Sequence, residues 1–345
     1  MTFIATATVA SAESDEIIRK TCLHLEEHHA QVIVGDGVGE ARFARGAASL
    51  RRDGATLMLT AEGQTLDDLI EMRGLLASHV IEFSATTPSI VWSGDGSDIV
   101  TPPGFRLMTV LRTQDISPRM RRVTFSGPNL ARYASRDDIH VKLLLPPQGQ
   151  TQWPQLKADG TIWWPEGADR LTVRKYTIRR IDVAAGELDI DFVLHDHGGP
   201  GSRFGATARP GDVIGMHGPG GRSIAAADHY LLAGDETALP AIARLLDMLP
   251  PHARGLALIE VEAPEDEQAL TLPEGVELRW LHRTRGQALG VDLEALQLPR
   301  ERSFVWVGTE FSGFRAWRRH IRTNRQLPRD QHLIVSYWRR GHEAV

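Results

Sequence analysis

Arg174-Lys175-Tyr176-Thr177 has the residue types that can hold a diphosphate and a flat ring. In a strand alternate side chains share a face, so Arg174 and Tyr176 point the same way. A planar guanidinium matches two phosphate oxygens at once, and Tyr176 adds a ring face and a hydroxyl. The run Glu187–His195 ends in Phe192-Val193-Leu194-His195 and leads to Gly199-Pro200-Gly201-Ser202. Small residues there let backbone N–H groups approach a phosphate, and Ser202 can donate a hydroxyl. A third stretch, Gly234-Asp235-Glu236-Thr237-Ala238-Leu239-Pro240, reads as a strand turning into a helix. Thr237 stands at the N-cap position and Pro240 in the first turn. Free N–H groups at such a turn attract phosphate, but Asp235 and Glu236 oppose it. Their acidity better suits hydroxyl and amide contacts. Each pattern alone also has a plainer use, as a strand with two exposed bases, a turn, or a helix start.

Composition narrows the classes of function. A chain of 345 residues is too long for one compact core and predicts two or three domains. With 42% hydrophobic and 24% charged residues it matches an ordinary globular protein. The net charge of −5 argues against a general nucleic-acid or anionic-membrane partner. No apolar run approaches the roughly 18–20 residues of a membrane span. Met1 to Thr6 has no basic region followed by a long apolar segment, so no secretory signal is expected and the cytoplasm is the default location. Cys22 is the single cysteine. It allows no intrachain disulfide, four-cysteine iron–sulfur cluster or cysteine-built zinc site.

The elements that must position these residues fall into three predicted domains. Residues 1–85 read as a small α+β domain, with helices over Glu13–His29 and Leu66–Phe83 and strands at Val32–Val34, Ala41–Phe43 and Thr56–Thr60. Gly35-Asp36-Gly37-Val38-Gly39 reads as a hairpin turn rather than a phosphate loop. His24 and His28, one helical turn apart, form a possible metal pair without an evident third ligand; surface histidines are the plainer reading. Residues 86–104 have linker composition, with Ser93-Gly94-Asp95-Gly96 and Pro102-Pro103. Residues 105–224 predict an antiparallel β-barrel domain, with strands at 105–111, 121–125, 140–145, 174–181, 187–195 and 212–217. Residues 225–345 alternate strand and helix, which predicts an α/β domain with a parallel sheet. No G-x-G-x-x-G follows a strand in this half, so a conventional Rossmann dehydrogenase is disfavoured.

The order Arg174-x-Tyr176-Thr177, Asp191-Phe192-Val193-Leu194-His195, Gly199-Pro200-Gly201-Ser202, Ala233-Gly234-Asp235-Glu236-Thr237-Ala238-Leu239-Pro240 and Tyr337-Trp338-Arg339-Arg340-Gly341 resembles the siderophore-interacting proteins. These are FAD-containing, NAD(P)H-dependent ferric-siderophore reductases of the ferredoxin-reductase superfamily, and the likeness extends over about residues 105–341. It implies an FAD-binding barrel, an NAD(P)H-binding α/β domain, and a ferric siderophore or ferric chelate as substrate. Arg174, Tyr176, Thr177, His195, Gly199, Gly201 and Ser202 would then serve the flavin. Gly234, Asp235, Glu236, Thr237 and Glu310 would serve the nicotinamide side, with Thr237 also able to reach the flavin. Thr309 departs from the family pattern, standing where a glycine is expected. Trp338 would cover the flavin ring or pack in the core. Lys142, Arg339 and Arg340 would form a cationic rim for an anionic chelate, or simply be solvated bases. Arg283 and Arg285 could receive a 2′-phosphate and so favour NADPH over NADH. No catalytic acid, base or nucleophile and no resident metal is implied.

Residues 1–85 resemble a family of small bacterial domains of unknown function, sometimes fused ahead of such reductases. That likeness lies in the His24/His28 helix end, Phe43-Ala44-Arg45-Gly46 and His79-Val80-Ile81-Glu82-Phe83. Two other readings stay open, a general flavin or quinone reductase and a non-enzymatic flavin-bound iron or redox sensor. Oligomeric state is not legible.

Overall fold

The computed structural model describes residues 2–27, 30–147, 151–195, 198–222, 224–290, 293, 299 and 302–341. The chain divides into two units, one of Met1–Phe105 with Pro147–Arg170, the other of Arg106–Pro146 with Leu171–Val345. The first unit runs β1 (Phe3–Ala10), α1 (Ser14–Glu27), β2 (Gln31–Gly35), β3 (Val38–Phe43), β4 (Gly46–Asp53), β5 (Thr56–Gly63), α2 (Leu66–Phe83) and β6 (Ser93–Gly94). Its six-stranded sheet has the order β2-β3-β4-β5-β1-β6. Alternate residues of β1 and β5, such as Ala5, Ala7, Val9, Leu57, Leu59 and Ala61, are buried against α1 and α2 with Ile17, Leu69, Leu76 and Val80. Helix α2 starts in a capping box, where the Thr65 hydroxyl accepts from Asp68 N and the Asp68 carboxylate accepts from Thr65 N. The Gly35–Val38 turn closes a β2–β3 hairpin, as its glycines predict. The helix expected over Glu13–His29 is described to Glu27; His28 lies outside the described residues.

Residues 86–104 are not a linker. Ile90 and Trp92 enter the core of the first unit, and β6 pairs with β1. A serine- and glycine-rich composition concealed these two large apolar anchors. The Trp92 indole donates to the Asp159 carbonyl at 2.8 Å, and Phe105 lies 6.0 Å from Trp153. Thus Pro147–Arg170, with the short ribbon β10 (Gln155–Leu156) and β11 (Ile162–Trp163), leaves the stretch expected to be all barrel and completes the first unit.

The second unit opens with β7 (Phe105–Ser117), β8 (Met120–Ser126), β9 (His140–Leu145), β12 (Thr172–Thr177), β13 (Arg180–Asp182), β14 (Glu187–Val193), α3 (Pro200–Thr207) and β15 (Val213–Gly220). The seven strands form an antiparallel, barrel-like sheet in the order β12-β9-β15-β7-β8-β14-β13, around Val123, Phe125, Leu143, Ile190, Phe192 and Ile214. The single strand expected over 174–181 is two, because the chain crosses at Ile178 from one sheet edge to the other. Asp189 and Asp191 alternate away from this core yet are buried. Arg180 and Thr124 cover Asp189, and Arg122 grips Asp191 with two bonds of 2.7 and 2.8 Å.

Next come β16 (His229–Asp235), α4 (Leu239–Met248), β17 (Arg254–Val261), β18 (Gly275–His282), β19 (Ser303–Glu310), α5 (Phe311–Arg319) and β20 (His332–Trp338). All five strands are parallel, in the order β18-β17-β16-β19-β20. Buried Arg244 of α4 donates to the carbonyls of Ile178, Tyr133 and Ser135, which fastens this sheet to the barrel. His140 of β9 hydrogen-bonds to Tyr337 of β20 at 2.8 Å.

Burial pushes the His140 pKa down from 6.5 to about 4, with the charges of Arg244 and Lys175 adding to the effect. An unfolded chain takes up this proton near pH 6.5, whereas the folded one resists until about 4. Stability from neutral His140 is therefore present above pH 6.5 and lost as pH falls through that window. The gap is worth at most about 3 kcal/mol. His140→Gln should flatten the dependence, so urea midpoints at pH 7 and pH 5 should differ less than in the wild type. Equal losses in both proteins would assign the acid sensitivity to other groups.

Candidate active site

Strand β12 is an edge strand, bonded only to β9 among the described residues, so its outer backbone groups face away from the sheet. Arg174 and Tyr176 share the face of Leu143 and Val141. Tyr176 leans on Phe192, centroids 4.4 Å apart, and its hydroxyl fills the place where a side chain on Gly201 would stand. Burial raises the Tyr176 pKa, so it stays a neutral phenol. The packed ring leaves less of itself for a ligand than the strand pattern alone predicts. One Arg174 Nη donates to the Val173 carbonyl at 2.8 Å. The Ser202 hydroxyl turns back to accept from His195 N at 3.0 Å, and the His195 carbonyl accepts from Gly198 N. Ser202 and His195 thus shape the loop, through a hydroxyl and a backbone. Gly199 is the N-cap of α3, without a side-chain cap, and nothing lies within 4 Å of the position a Cβ would take there. That leaves an open helix start beside glycine backbone.

The sheet order places a topological switch between β16 and β19, the position at which open parallel sheets take ligands at the carboxyl ends of their strands. Asp235 ends β16 there, buried to 4% exposure. One carboxylate oxygen accepts from Thr237 N at 3.0 Å and from the Thr237 hydroxyl. The other accepts from the Thr309 hydroxyl and Glu310 N, both at 3.2 Å, and from the Trp338 indole at 2.9 Å. Burial pushes its pKa up and the Glu236 charge adds to this, while the Thr237 and Trp338 bonds pull it down. Thr237 is not the N-cap; Ala238 is, because the Thr237 side chain is turned onto Asp235. Thr309, expected as glycine, fits because its hydroxyl has the same acceptor. Gly234 and Gly308 are required here, since a Cβ on either would crowd Ala238.

Other expectations change in detail. Glu236 makes a bidentate pair with Arg283 at 2.7 and 2.8 Å, and Arg283 also bonds Glu260 and Glu262 at 3.0 Å. With three carboxylates on it, Arg283 is not available to a 2′-phosphate. Arg285 is exposed. Glu310 caps α5 by accepting from Ser312 N, and its other oxygen accepts from Arg340 N at 3.1 Å, so the carboxylate serves the fold. Arg339 lies over Phe311 at 4.9 Å, and Arg339 and Arg340 are both exposed. Lys142 stands directly across from Lys175, with His217 on its other side. Lys175 and His217 are additions to the sequence-derived set. The signal for Lys175 was present in the motif, but only strand pairing shows that two lysines face each other. Like charges placed opposite disfavour a sheet unless something anionic joins them.

The second unit is thus an antiparallel, barrel-like sheet followed by a five-stranded parallel sheet. Residues 109–223 match a model of the siderophore-interacting FAD-binding domain, residues 227–341 one of the siderophore-interacting protein, and residues 6–93 one described as an uncharacterized protein conserved in bacteria, DUF2218. Ferric vibriobactin reductase ViuB of Vibrio cholerae is 34% identical over 246 residues, 68% of this chain and 90% of that protein. The NADPH-dependent ferric-chelate reductase of Escherichia coli is 34% identical over 213 residues, 60% of this chain and 82% of that one. The crystal structure of the siderophore-interacting protein SipS from Aeromonas hydrophila shares 38% identity at a TM-score of 0.60, covering 69% of this chain and 93% of SipS. The chain belongs to the siderophore-interacting protein family, with a DUF2218 domain at its N-terminal side. An FAD fits what is present: an uncapped α3 start, an open Gly199, and Arg174 on an edge strand.

Asp235→Asn replaces an acceptor by a donor among groups that all donate to it. It should cost about 2–4 kcal/mol of stability and alter the near-UV circular dichroism as Trp338 loses its anchor. Unchanged melting and an unchanged aromatic spectrum would remove Asp235 from the organising role.

Proposed function

We infer that this protein is an FAD-containing reductase that takes a hydride from NADH or NADPH and reduces ferric siderophores, releasing Fe²⁺. One observation carries the reading. Tyr337 of β20 hydrogen-bonds at 2.8 Å to His140 of β9, the residue directly across from Thr177 at the end of β12, and the next residue, Trp338, is held on Asp235 at the switch point. A flavin held along β12 would therefore have its ring beside the carboxyl ends of β16 and β19, where the nicotinamide belongs.

Bound FAD supplies the conversion of a two-electron hydride into single electrons. The balance is one NAD(P)H and two Fe³⁺ giving NAD(P)⁺, H⁺ and two Fe²⁺. Arg174 and the α3 start hold the diphosphate, Tyr176 and Thr177 fix the ring end of the site, and Trp338 shields it from water. Gly234, by lacking a side chain, lets α4 close onto the strand end. Lys142, Lys175, Arg339 and Arg340 draw an anionic chelate. No helix among the described residues is long and apolar enough to cross a membrane. The nicotinamide donor assigns the reaction to the cytoplasm in this reading.

Purified protein should show a flavin spectrum that bleaches with anaerobic NADH or NADPH and returns on adding a ferric siderophore, with Fe²⁺ trapped by a ferrous chelator. Equal rates with every ferric chelate and with quinones would favour a general reductase instead. Arg174→Ala should weaken FAD binding by about 1.5–3 kcal/mol; unchanged flavin affinity would remove Arg174 from the site. Neutralising Lys142, Lys175, Arg339 and Arg340 together should lower kcat/KM for anionic ferric siderophores and flatten its dependence on ionic strength. Flavin reduction without chelate should change little. Equal loss in both half-reactions would end the docking assignment.

A further inference from the structure

Two imidazoles in the first unit have no part in the reductase reading. His24 of α1 and His79 of α2 stand with ring centroids 4.8 Å apart and planes at 65°. Phe83 lies 6.3 Å from the first ring and 6.0 Å from the second. His79 is buried, at 6% exposure. Its Nδ1 lies 2.7 Å from the Leu75 carbonyl, which can only accept, so Nδ1 carries the proton and Nε2 keeps a bare lone pair. That Nε2 is fully buried and, among the described residues, has no hydrogen-bond partner. Leaving such an acceptor unmatched is costly, a penalty that an apolar ring would avoid.

An imidazole tied by one nitrogen to a backbone carbonyl, with the other nitrogen bare, is the arrangement in which histidine binds a metal ion. Two imidazoles on one ion, with bonds of about 2.0–2.1 Å, bring their centroids to about 5 Å apart. We propose that His24 and His79 are protein ligands of an exchangeable divalent transition-metal site in the N-terminal unit. Among the described residues no three His, Cys, Asp or Glu side chains converge, and the site as proposed leaves its remaining positions to solvent. Structural zinc sites close the shell with four protein ligands; a shell left half to water gives its ion up more readily. Imidazole selects Fe²⁺, Zn²⁺, Ni²⁺ or Cu²⁺ over Mg²⁺. The Fe²⁺ released by the proposed reductase belongs to that class, and only this link rests on the function inferred above.

The test is anaerobic calorimetric titration of the full-length, FAD-loaded protein with Zn²⁺, and with Mg²⁺ as control. One Zn²⁺ per chain is expected, with affinity at least tenfold weaker in His24→Ala and in His79→Gln and no binding of Mg²⁺. His24 is half-buried on a helix end, so His24→Ala keeps the fold if His79→Gln does not. Addition of Co²⁺ should give paramagnetically shifted imidazole proton signals in the wild type that vanish in His24→Ala. Absence of stoichiometric Zn²⁺ binding, or equal affinity in His24→Ala, would overturn the site. Fe²⁺ competing with Zn²⁺ would support the link to the reductase. Failure to compete would overturn that link and leave the site standing, whether or not the flavin turns over.

Discussion

The Asp235 carboxylate, buried where three parallel strands end, sets the geometry of the nucleotide half. Removing an ionised carboxylate from water is costly unless hydrogen bonds replace the lost hydration. Here the replacements come from the turn after β16, from the end of β19 and from the indole of β20. Satisfying that one group therefore fixes Thr237, Thr309 and Trp338 against each other. The same demand explains a threonine where a glycine was expected, since the hydroxyl has an acceptor waiting. It also turns an acidic motif that looked hostile to a nucleotide into a scaffold for the strand ends.

Barrel and sheet in the second unit meet through polar side chains as well as apolar packing. Arg244 satisfies three carbonyls, and the His140–Tyr337 bond links β20 to β9 at the point where β9 pairs with the end of β12. A hydride can pass between two rings only if they touch, so this join matters more to the chemistry than either domain alone. Charge is partitioned in the same spirit. Arg122, Arg180 and Arg283 are matched with carboxylates, whereas Lys142 faces Lys175. A net charge of −5 conceals that local excess.

The N-terminal unit is not a detachable prefix. Ile90 and Trp92, from the presumed linker, belong to its core, and Pro147–Arg170 returns from the middle of the barrel sequence to complete it. The Trp92–Asp159 hydrogen bond joins these two distant stretches. Within the same unit the bare Nε2 of His79 stands apart from ordinary core packing, because the described residues give it an imidazole neighbour and no proton donor.

Much of the architecture was legible in order and periodicity. The antiparallel run, the later strand–helix alternation, the flavin-type motif and the family itself follow from local patterns, because period, turn chemistry and motif spacing are properties of neighbouring residues. What the sequence could not decide was which partner each polar group would find. Thr237 had the position of a cap but turned to Asp235; Glu310 was expected at the nucleotide but caps α5; Arg283 was expected on a phosphate but is held by three carboxylates. His24 was matched with His28 along the chain, whereas the fold set His79 beside it. Hydrogen bonds and ion pairs act over a few ångströms in space and are indifferent to separation along the chain. Local sequence therefore determined the elements and the family, and tertiary packing alone decided the wiring of the site.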